Sequence, residues 1–161
     1  RDNDGRLTGV HRTWLALDGR AKAPVSTPRR AIGNLLGNGA RFGRHGDALA
    51  VGEGIETMLA LRIAMPALAA LAALSASHLA AVALPPGLRR LYIARDDDAA
   101  GRAAATMLAG RACAKGIEAR ILDAERGDWN EDLRALGVDR VRRSLAGQLA
   151  PPDADRFPSA A

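Results

Sequence analysis

The sequence predicts an α/β fold, in which a mostly parallel sheet is flanked by helices and preceded by a small, basic, β-rich lobe. Between residues 47 and 150, short apolar segments alternate with helix-forming segments, as in sheets whose parallel strands are joined by helices. The chain has 161 residues, 48% hydrophobic and 25% charged, which suits one packed domain with a small appended lobe. All of the excess positive charge lies in residues 1–46, so charge and element pattern divide the chain at the same place.

The composition narrows the range of functions. A single cysteine, Cys113, excludes an internal disulfide framework and a cysteine-rich zinc site. The net charge is +5, and residues 1–46 hold nine Arg or Lys and three Asp, a net +6. This asymmetry suggests a nucleic acid or another phosphate-rich ligand, although a merely soluble basic lobe explains it equally well.

No membrane or targeting segment is predicted. The uncharged run at residues 63–88 is mostly Ala and contains three prolines, so it is typical of a buried strand followed by a helix. The chain begins Arg-Asp-Asn-Asp, without an initiator Met or an apolar leader. We therefore expect a cytoplasmic, bacterial or phage- or plasmid-encoded protein, of which this chain is an internal piece.

The basic lobe is predicted to span residues 1–46. Residues 10–17 have strand-like composition, and Asp18-Gly19 is a strong signal for a tight turn. Residues 20–25 would then form the returning strand. Prolines and glycines follow, so the rest of the lobe is predicted to be loop-rich.

The α/β domain is predicted to span residues 47–150. The expected elements are a strand at 48–51, a helix at 55–64, a strand at 68–74, a short helix from 75 to about 83, a strand at 91–94, a long helix at 99–115, a strand at 119–122, and helices around 131–136 and 138–149. Ser75 is a favourable N-cap, and Ile55, Leu59 and Ile63 recur on one face of their helix. Residues 151–161 are predicted to be a flexible tail.

Acidic residues follow two of the predicted buried strands. Glu53 lies between two glycines after the first, and Asp96 and Asp98 follow a later one. Because alternate residues of an extended segment face the same way, Asp96 and Asp98 can converge. Each motif alone is explained by a solvated turn or a helix N-terminus. Together they place three carboxylates where α/β sheets bind ligands, in the hard oxygen environment that Mg²⁺ prefers.

The segments VGEGIETMLAL and LYIARDDDAAGRAAA resemble the Toprim domain of DnaG-type primases, type IA and type II topoisomerases and OLD-family nucleases. Glu53, Asp96 and Asp98 match the Glu and the Asp-x-Asp of its pattern. Ala100-Gly101 is similar to the continuation found in the primase branch. The resemblance implies the Toprim fold and a divalent metal ion.

Two further segments extend the resemblance. Asp128 matches the first acid of the stretch that supplies additional metal ligands in primases, and Asn130 stands where a second acid is usual. The upstream segment GVHRTWLALDGRAKAP and the later RRAIG resemble the lobe that precedes the Toprim core in primase-like proteins of phages, plasmids and mobile elements. The resemblance therefore covers about residues 8–149.

The resemblance implies metal-dependent nucleotidyl transfer that makes RNA or DNA primers in DNA replication. Mg²⁺ or Mn²⁺ would be held by Glu53, Asp96, Asp98 and Asp128, and Glu53 could instead act as a general base. A single-stranded DNA template and nucleoside triphosphates would be the partners, with a helicase or zinc-binding module elsewhere in the parent protein. The residues expected to contact their phosphates are Arg12, Arg20, Lys22, Arg29, Arg30, Arg41 and Arg102.

Other functions stay open. The same carboxylates would serve a Toprim nuclease, and Asn130 favours a noncatalytic nucleic-acid-binding module. A topoisomerase needs a tyrosine nucleophile, but the single tyrosine, Tyr92, lies in a predicted buried strand. A dehalogenase-like phosphatase also has an Asp-x-Asp after a strand, but here the motif comes late and is followed by Ala99 and Ala100 instead of the usual hydroxyl residue.

Overall fold

The predicted fold class is confirmed by the structure, a computed structural model that describes residues 1–158. A two-stranded antiparallel hairpin precedes a five-stranded sheet with helices on both faces. The elements in chain order are β1 (Gly9–Thr13), β2 (Arg29–Gly33), β3 (Ala40–Phe42), β4 (Ala48–Gly52), α1 (Ile55–Ala64), β5 (Ala70–Ala72), α2 (Ala76–Ala81), β6 (Arg90–Ala94), α3 (Ala99–Cys113), β7 (Glu118–Leu122), α4 (Trp129–Leu136), α5 (Val138–Gln148) and α6 (Pro151–Ala154).

The main sheet has the strand order β3-β5-β4-β6-β7. Strands β5, β4, β6 and β7 are parallel, and β3 pairs antiparallel with β5 at one edge. Every residue of β4 is buried, because helices cover both faces of the sheet. Helices α1, α4 and α5 lie on one face, and α2 and α3 lie on the other. This arrangement brings the carboxyl ends of β4 and β6 side by side.

Local sequence signals explain several element boundaries. Ser75 caps α2, since its hydroxyl accepts the N–H of His78 at 3.2 Å. Asp98 caps α3 in the same way, and Gly116 ends the following turn at φ +73. Within residues 1–158, no helix is both long and apolar enough to cross a bilayer.

The basic lobe differs from the prediction in its pairing. Strand β1 pairs with Arg29–Gly33, so the expected returning strand at residues 20–25 is wrong. The Asp18-Gly19 turn does form, with Gly19 at φ +68, but only the bridge between Leu15 and Lys22 extends it. Pro24 has no N–H to continue a ladder there. The main sheet also begins before Asp47, because Ala40–Phe42 is its edge strand.

The segment after residue 150 is also different from the prediction, which treated residues 151–161 as a flexible tail. Asp153 of α6 is fully buried and accepts the hydroxyl of Tyr92 at 2.6 Å and a guanidinium N–H of Arg90 at 2.9 Å. Phe157 is 3% exposed. A buried carboxylate with these partners anchors residues 151–158 to the sheet. Residues 159–161 lie outside the described part of the chain.

Candidate functional site

A cleft of about 510 Å³ lies at the carboxyl edge of the main sheet. Its floor includes Glu53 after β4, Asp96 after β6 and Asp128 before α4. The basic lobe forms the opposite wall. Three residues that line this wall, Arg20, Lys22 and Arg29, are among those predicted to contact phosphates. The fold therefore joins two features that are separate in the sequence, the strand-end acids and the basic lobe.

Glu53 is held at the end of β4 by the loop that follows β5. The N–H of Leu74 donates to the Glu53 carbonyl at 2.9 Å. Leu74 adopts φ +79, a strained conformation for a residue with a branched side chain. Burial, and then the nearby Asp96 and Asp98, raises the pKa of Glu53.

The carboxylate of Asp96 has a buried oxygen, Oδ1, without a hydrogen-bond partner within residues 1–158. Burial raises the pKa of Asp96, and Asp128 and Asp98 add to the effect through like-charge repulsion. A buried, unpartnered acceptor among like charges is destabilising unless a cation or a proton compensates for it.

Asp98 is close enough to affect the pKa values of both Glu53 and Asp96, but its carboxylate is partly engaged. One oxygen accepts the N–H of Gly101 at 2.6 Å as the N-cap of α3. Asp97 projects away from the site, as the alternation of an extended segment predicts. It is exposed and forms an ion pair with Arg102 at 2.8 Å.

The start of α4 supplies the third side of the cleft. Asp128 is the N-cap of this helix and accepts the N–H of Glu131 at 2.7 Å. Asn130 and Arg134 also line the cleft, one helical turn apart. Sequence reasoning missed Arg134, although its spacing of four residues from Asn130 is the signal that would have placed it there.

The carboxylates fit a divalent metal ion by their chemistry. Among residues 1–158, no set of three or more His, Cys, Asp or Glu side chains is already gathered as a metal-binding cluster. Nevertheless, Asp96 has a buried oxygen without a partner in this part of the chain, and burial, followed by repulsion from neighbouring carboxylates, raises the pKa values of Glu53 and Asp96. Hard oxygen donors with uncompensated negative charge are what Mg²⁺ or Mn²⁺ requires.

The basic wall contains both free and engaged cations. Within the described residues, Arg20 and Lys22 form no ion pair, whereas Arg29 pairs with Glu56 of α1. His11 also lines the wall, and burial followed by the charge of Arg29 lowers its pKa. Arg20 and Lys22 are therefore the lobe cations that are available to an anionic ligand in the cleft.

Four of the residues predicted to contact phosphates lie elsewhere. Arg12 and Arg30 are cross-strand neighbours that line a separate hollow of the hairpin. Arg41 is half-buried and donates to the Arg1 carbonyl and to Asn3 Oδ1, so it fastens the start of the chain. Arg102 forms an ion pair with Asp97. The structure thus does not bring these four into the cleft.

Comparison with known proteins agrees with the fold and the motifs. The family described as the Toprim domain matches residues 48–139, and a domain of unknown function (DUF7146) matches residues 1–42. No curated protein matches the sequence.

Three solved primase structures share the fold. The primase fragment of the bacteriophage T7 primase-helicase protein has 20% identity and a TM-score of 0.60 over 92% of this chain and 59% of its own. The Aquifex aeolicus primase, a structure of its zinc-binding and RNA polymerase domains, has 18% identity and a TM-score of 0.59 over 92% of this chain and 39% of its own. A DNA primase domain from Pseudomonas aeruginosa has 21% identity and a TM-score of 0.58 over 92% of this chain and 49% of its own.

This chain therefore spans between 39% and 59% of the length of these primase structures. The match to the Toprim model covers more than half of the chain and includes Glu53, Asp96, Asp98 and Asp128. Together with the five-stranded sheet, these findings show that the chain belongs to the Toprim domain family and has the fold of its primase-like members.

Proposed function

We propose that this chain is the metal-dependent nucleotidyl-transfer centre of a primase-like protein that acts in DNA replication or in a mobile element. The observation that carries the proposal is the cleft itself, where uncompensated carboxylates of the sheet face unpaired cations of the basic lobe. A nucleotide has complementary features, because its phosphates suit the cations and recruit a divalent ion to the carboxylates.

Glu53, Asp96 and Asp98 are proposed to hold Mg²⁺ or Mn²⁺, with Asp128 as an additional ligand. When bound, the ion supplies neutralisation of phosphate charge and activation of an oxygen nucleophile. The Gly101 N–H fixes the orientation of Asp98 by donating to its carboxylate. The alternative role of the Glu53 carboxylate, in place of metal ligation, is to accept the proton of a 3′-hydroxyl group.

The cations of the cleft are proposed to bind substrate phosphates. Arg20 and Lys22 approach from the lobe, and Arg134 approaches from α4. Their distribution on two walls would orient a triphosphate across the carboxylates, and such orientation lowers the barrier to transfer. Since Cys113 is the single cysteine, a zinc-binding module for template recognition, and any helicase, would lie elsewhere in a longer protein.

The test is primer synthesis by the 161-residue chain and by the longer protein that contains it. Each is incubated with single-stranded DNA, labelled nucleoside triphosphates and Mg²⁺ or Mn²⁺. We expect short labelled oligomers, and a loss of at least about 100-fold for Asp96→Ala combined with Asp98→Ala. Asp97→Ala is the matched control, because this neighbouring acid points away and pairs with Arg102.

Two other results would replace the proposal. Shortening of the DNA that depends on Asp96 would identify a nuclease, in which the same carboxylates serve hydrolysis. DNA binding without synthesis or cleavage by either protein would identify a noncatalytic module. Asn130 specifically favours that second outcome, because it places a neutral amide in the cleft where a second acid is usual.

Metal binding can be tested separately by calorimetry. Mn²⁺ should bind to the wild-type chain and to Asp97→Ala, and binding should be weakened at least about tenfold in Asp96→Ala. Equal binding by all three proteins would show that Asp96 is not a ligand.

A further inference from the structure

Trp14 is the exception among the few aromatic residues of the chain. Aromatic residues make up 3% of the sequence; Trp129, Tyr92 and Phe157 are at most 3% exposed, and Phe42 is half-buried. Trp14, by contrast, is 52% exposed on the basic lobe. An indole left in water forgoes a large gain from burial, so its exposed face is a candidate contact surface.

The position of the Trp14 ring is defined by the hairpin. The backbone N–H of Trp14 donates to the Pro28 carbonyl at 2.8 Å, which continues the β1–β2 ladder by one residue. The guanidinium carbon of Arg12 lies 5.1 Å from the centroid of the Trp14 ring, within the range of a cation–π contact. The ring also borders a hollow of about 410 Å³ that is shared with Arg12, Arg30 and Val25.

The charges around this hollow are all of one sign. Arg12 lies directly opposite Arg30 in the register of the hairpin, and both side chains are exposed. Neither forms an ion pair within residues 1–158. Like charges in opposite positions destabilise a two-stranded hairpin. An anion bound between them would remove this repulsion.

The two faces of the hairpin lead to different surfaces. Because side chains alternate along a strand, His11 faces the cleft while Arg12 and Trp14 lie on the outer face. The hollow and the catalytic cleft are thus on opposite sides of one narrow ribbon. A linear polyanion that passes around the ribbon can contact both.

We propose that Trp14 stacks on a base of single-stranded DNA whose flanking phosphates bind Arg12 and Arg30. An exposed indole beside unpaired arginines provides both parts of such a site, since every base has a stacking face and every link carries a charge. This inference rests on the proposed function only in taking the DNA to be the template. The outer face would hold the strand upstream or downstream of the cleft.

Binding should depend on bases as well as on phosphates. The 161-residue chain is titrated, without metal or nucleotides, with a labelled oligothymidylate and with an abasic oligomer of the same length and charge. We expect the oligothymidylate to bind at least about fivefold more tightly. Trp14→Leu should abolish this preference, and Trp14→Phe should retain part of it.

Tryptophan fluorescence provides a second readout on the same samples. Trp14 and Trp129 are the two tryptophans, and Trp129 is fully buried. Oligothymidylate should quench part of the wild-type emission and none of that of Trp14→Leu. Unchanged emission from Trp129 in the variant shows that the variant is folded. Arg12→Gln combined with Arg30→Gln should weaken both oligomers alike and reduce the salt dependence.

Two outcomes would overturn the inference, a preference for bases that persists in Trp14→Leu and equal binding of the two oligomers by the wild type. The second would show that the exposed indole makes no contact with the bases. Because these measurements need neither catalysis nor metal, they are independent of primer synthesis. Base-dependent binding without synthesis would contradict only the proposed function, and primer synthesis with equal binding of the two oligomers would contradict only the stacking.

Discussion

At the scale of single residues, the ionised carboxylates of the site lower the free energy of unfolding. Burial and like-charge neighbours raise the pKa of Asp96, so its proton is held more tightly in the folded chain than in the unfolded chain. Stability therefore falls as the pH rises from the unfolded value, about 4, through the raised one. Below that interval both states are protonated and the penalty is absent.

Asp96→Asn should consequently stabilise the metal-free chain at pH 7. Asparagine keeps the shape of the side chain and removes the buried charge beside Asp98 and Asp128. We expect the Tm to rise by about 2 °C, with the gain disappearing towards pH 4. Mg²⁺ should raise the Tm of the wild type and leave that of the variant unchanged.

The control for this measurement is Asp97→Asn, in which an exposed charge paired with Arg102 is lost. Its Tm should differ little from that of the wild type, because exposed ion pairs contribute little to stability. A lower Tm for Asp96→Asn than for Asp97→Asn, in the absence of metal, would mean that Asp96 is satisfied in the folded chain.

At the scale of elements, the first turn of α3 is packed against the backbone of the acidic loop. A Cβ atom added to Gly101 would lie 2.6 Å from the Asp96 carbonyl oxygen. The helix can therefore approach the loop only with glycine at this position, and the carboxylate of Asp98 caps the helix by accepting the N–H of the same glycine. This contact explains physically why Ala-Gly follows the Asp-x-Asp motif.

Gly101→Ala should displace Asp96 without removing a carboxylate. We expect the affinity for Mn²⁺ to fall about tenfold or more and the free energy of unfolding to fall by about 1–3 kcal/mol. Calorimetry and urea unfolding measure the two effects.

Gly110→Ala is the matched control in the same helix. No atom lies within 4 Å of its added Cβ, so this variant should gain up to about 1 kcal/mol from helix propensity and keep its affinity. Equal affinity for Mn²⁺ in the two variants would rule out a positioning role for Gly101.

Elements with a clear burial pattern were predictable from sequence, and those fixed by distant contacts were not. Ile55–Ala64 begins and ends as predicted, but its repeat of Ile55, Leu59 and Ile63 does not mark the buried face. Leu59 is 42% and Ile63 55% exposed, while Met58 and Leu61 are buried. In a helix that is apolar on most sides, spacing alone does not select the face that packs.

The segment after residue 150 failed as a prediction for a related reason. Its three prolines and two aspartates are typical of an exposed tail, yet Asp153 is paired with Arg90 and Tyr92 from β6. Burial and the hydrogen bond to Asp153 raise the pKa of Tyr92 to about 12. The local sequence around Asp153 does not indicate that its partners lie in a strand so far away in the chain.

At the scale of the whole molecule, the candidate site forms where the acidic carboxyl edge of the main sheet faces the cations of the basic lobe. Strand-end acids were predictable because the carboxyl edge of a parallel sheet gathers them. Which arginines face them was not, because that depends on how the lobe folds back. Arg20 and Lys22 line the cleft, whereas Arg41 fastens the start of the chain.

Arg20→Gln combined with Lys22→Gln should reduce the salt dependence of single-stranded DNA binding. Two lost phosphate contacts correspond to a decrease of about 1.4 in the slope of log affinity against log salt concentration. Fluorescence anisotropy between 50 and about 200 mM salt measures this slope.

Arg89→Gln combined with Lys115→Gln removes the same charge from the opposite edge of the sheet, where both residues are exposed. This double variant should keep the wild-type slope. If both double variants changed the slope equally, net charge and not the cleft would control binding.

The edge strand Ala40–Phe42 has a consequence for colloidal behaviour. It covers β5, whose residues Ala70–Ala72 carry no charge that would deter a second chain. The other edge strand, β7, carries the ion pair of Glu118 and Arg120, and such charges disfavour pairing with a second chain. Cutting the chain at residue 46 would leave β5 with unpaired backbone groups, inviting edge-to-edge aggregation. Residues of the lobe thus also protect an edge of the sheet. A truncated chain that contains the main domain alone has to retain Ala40–Phe42.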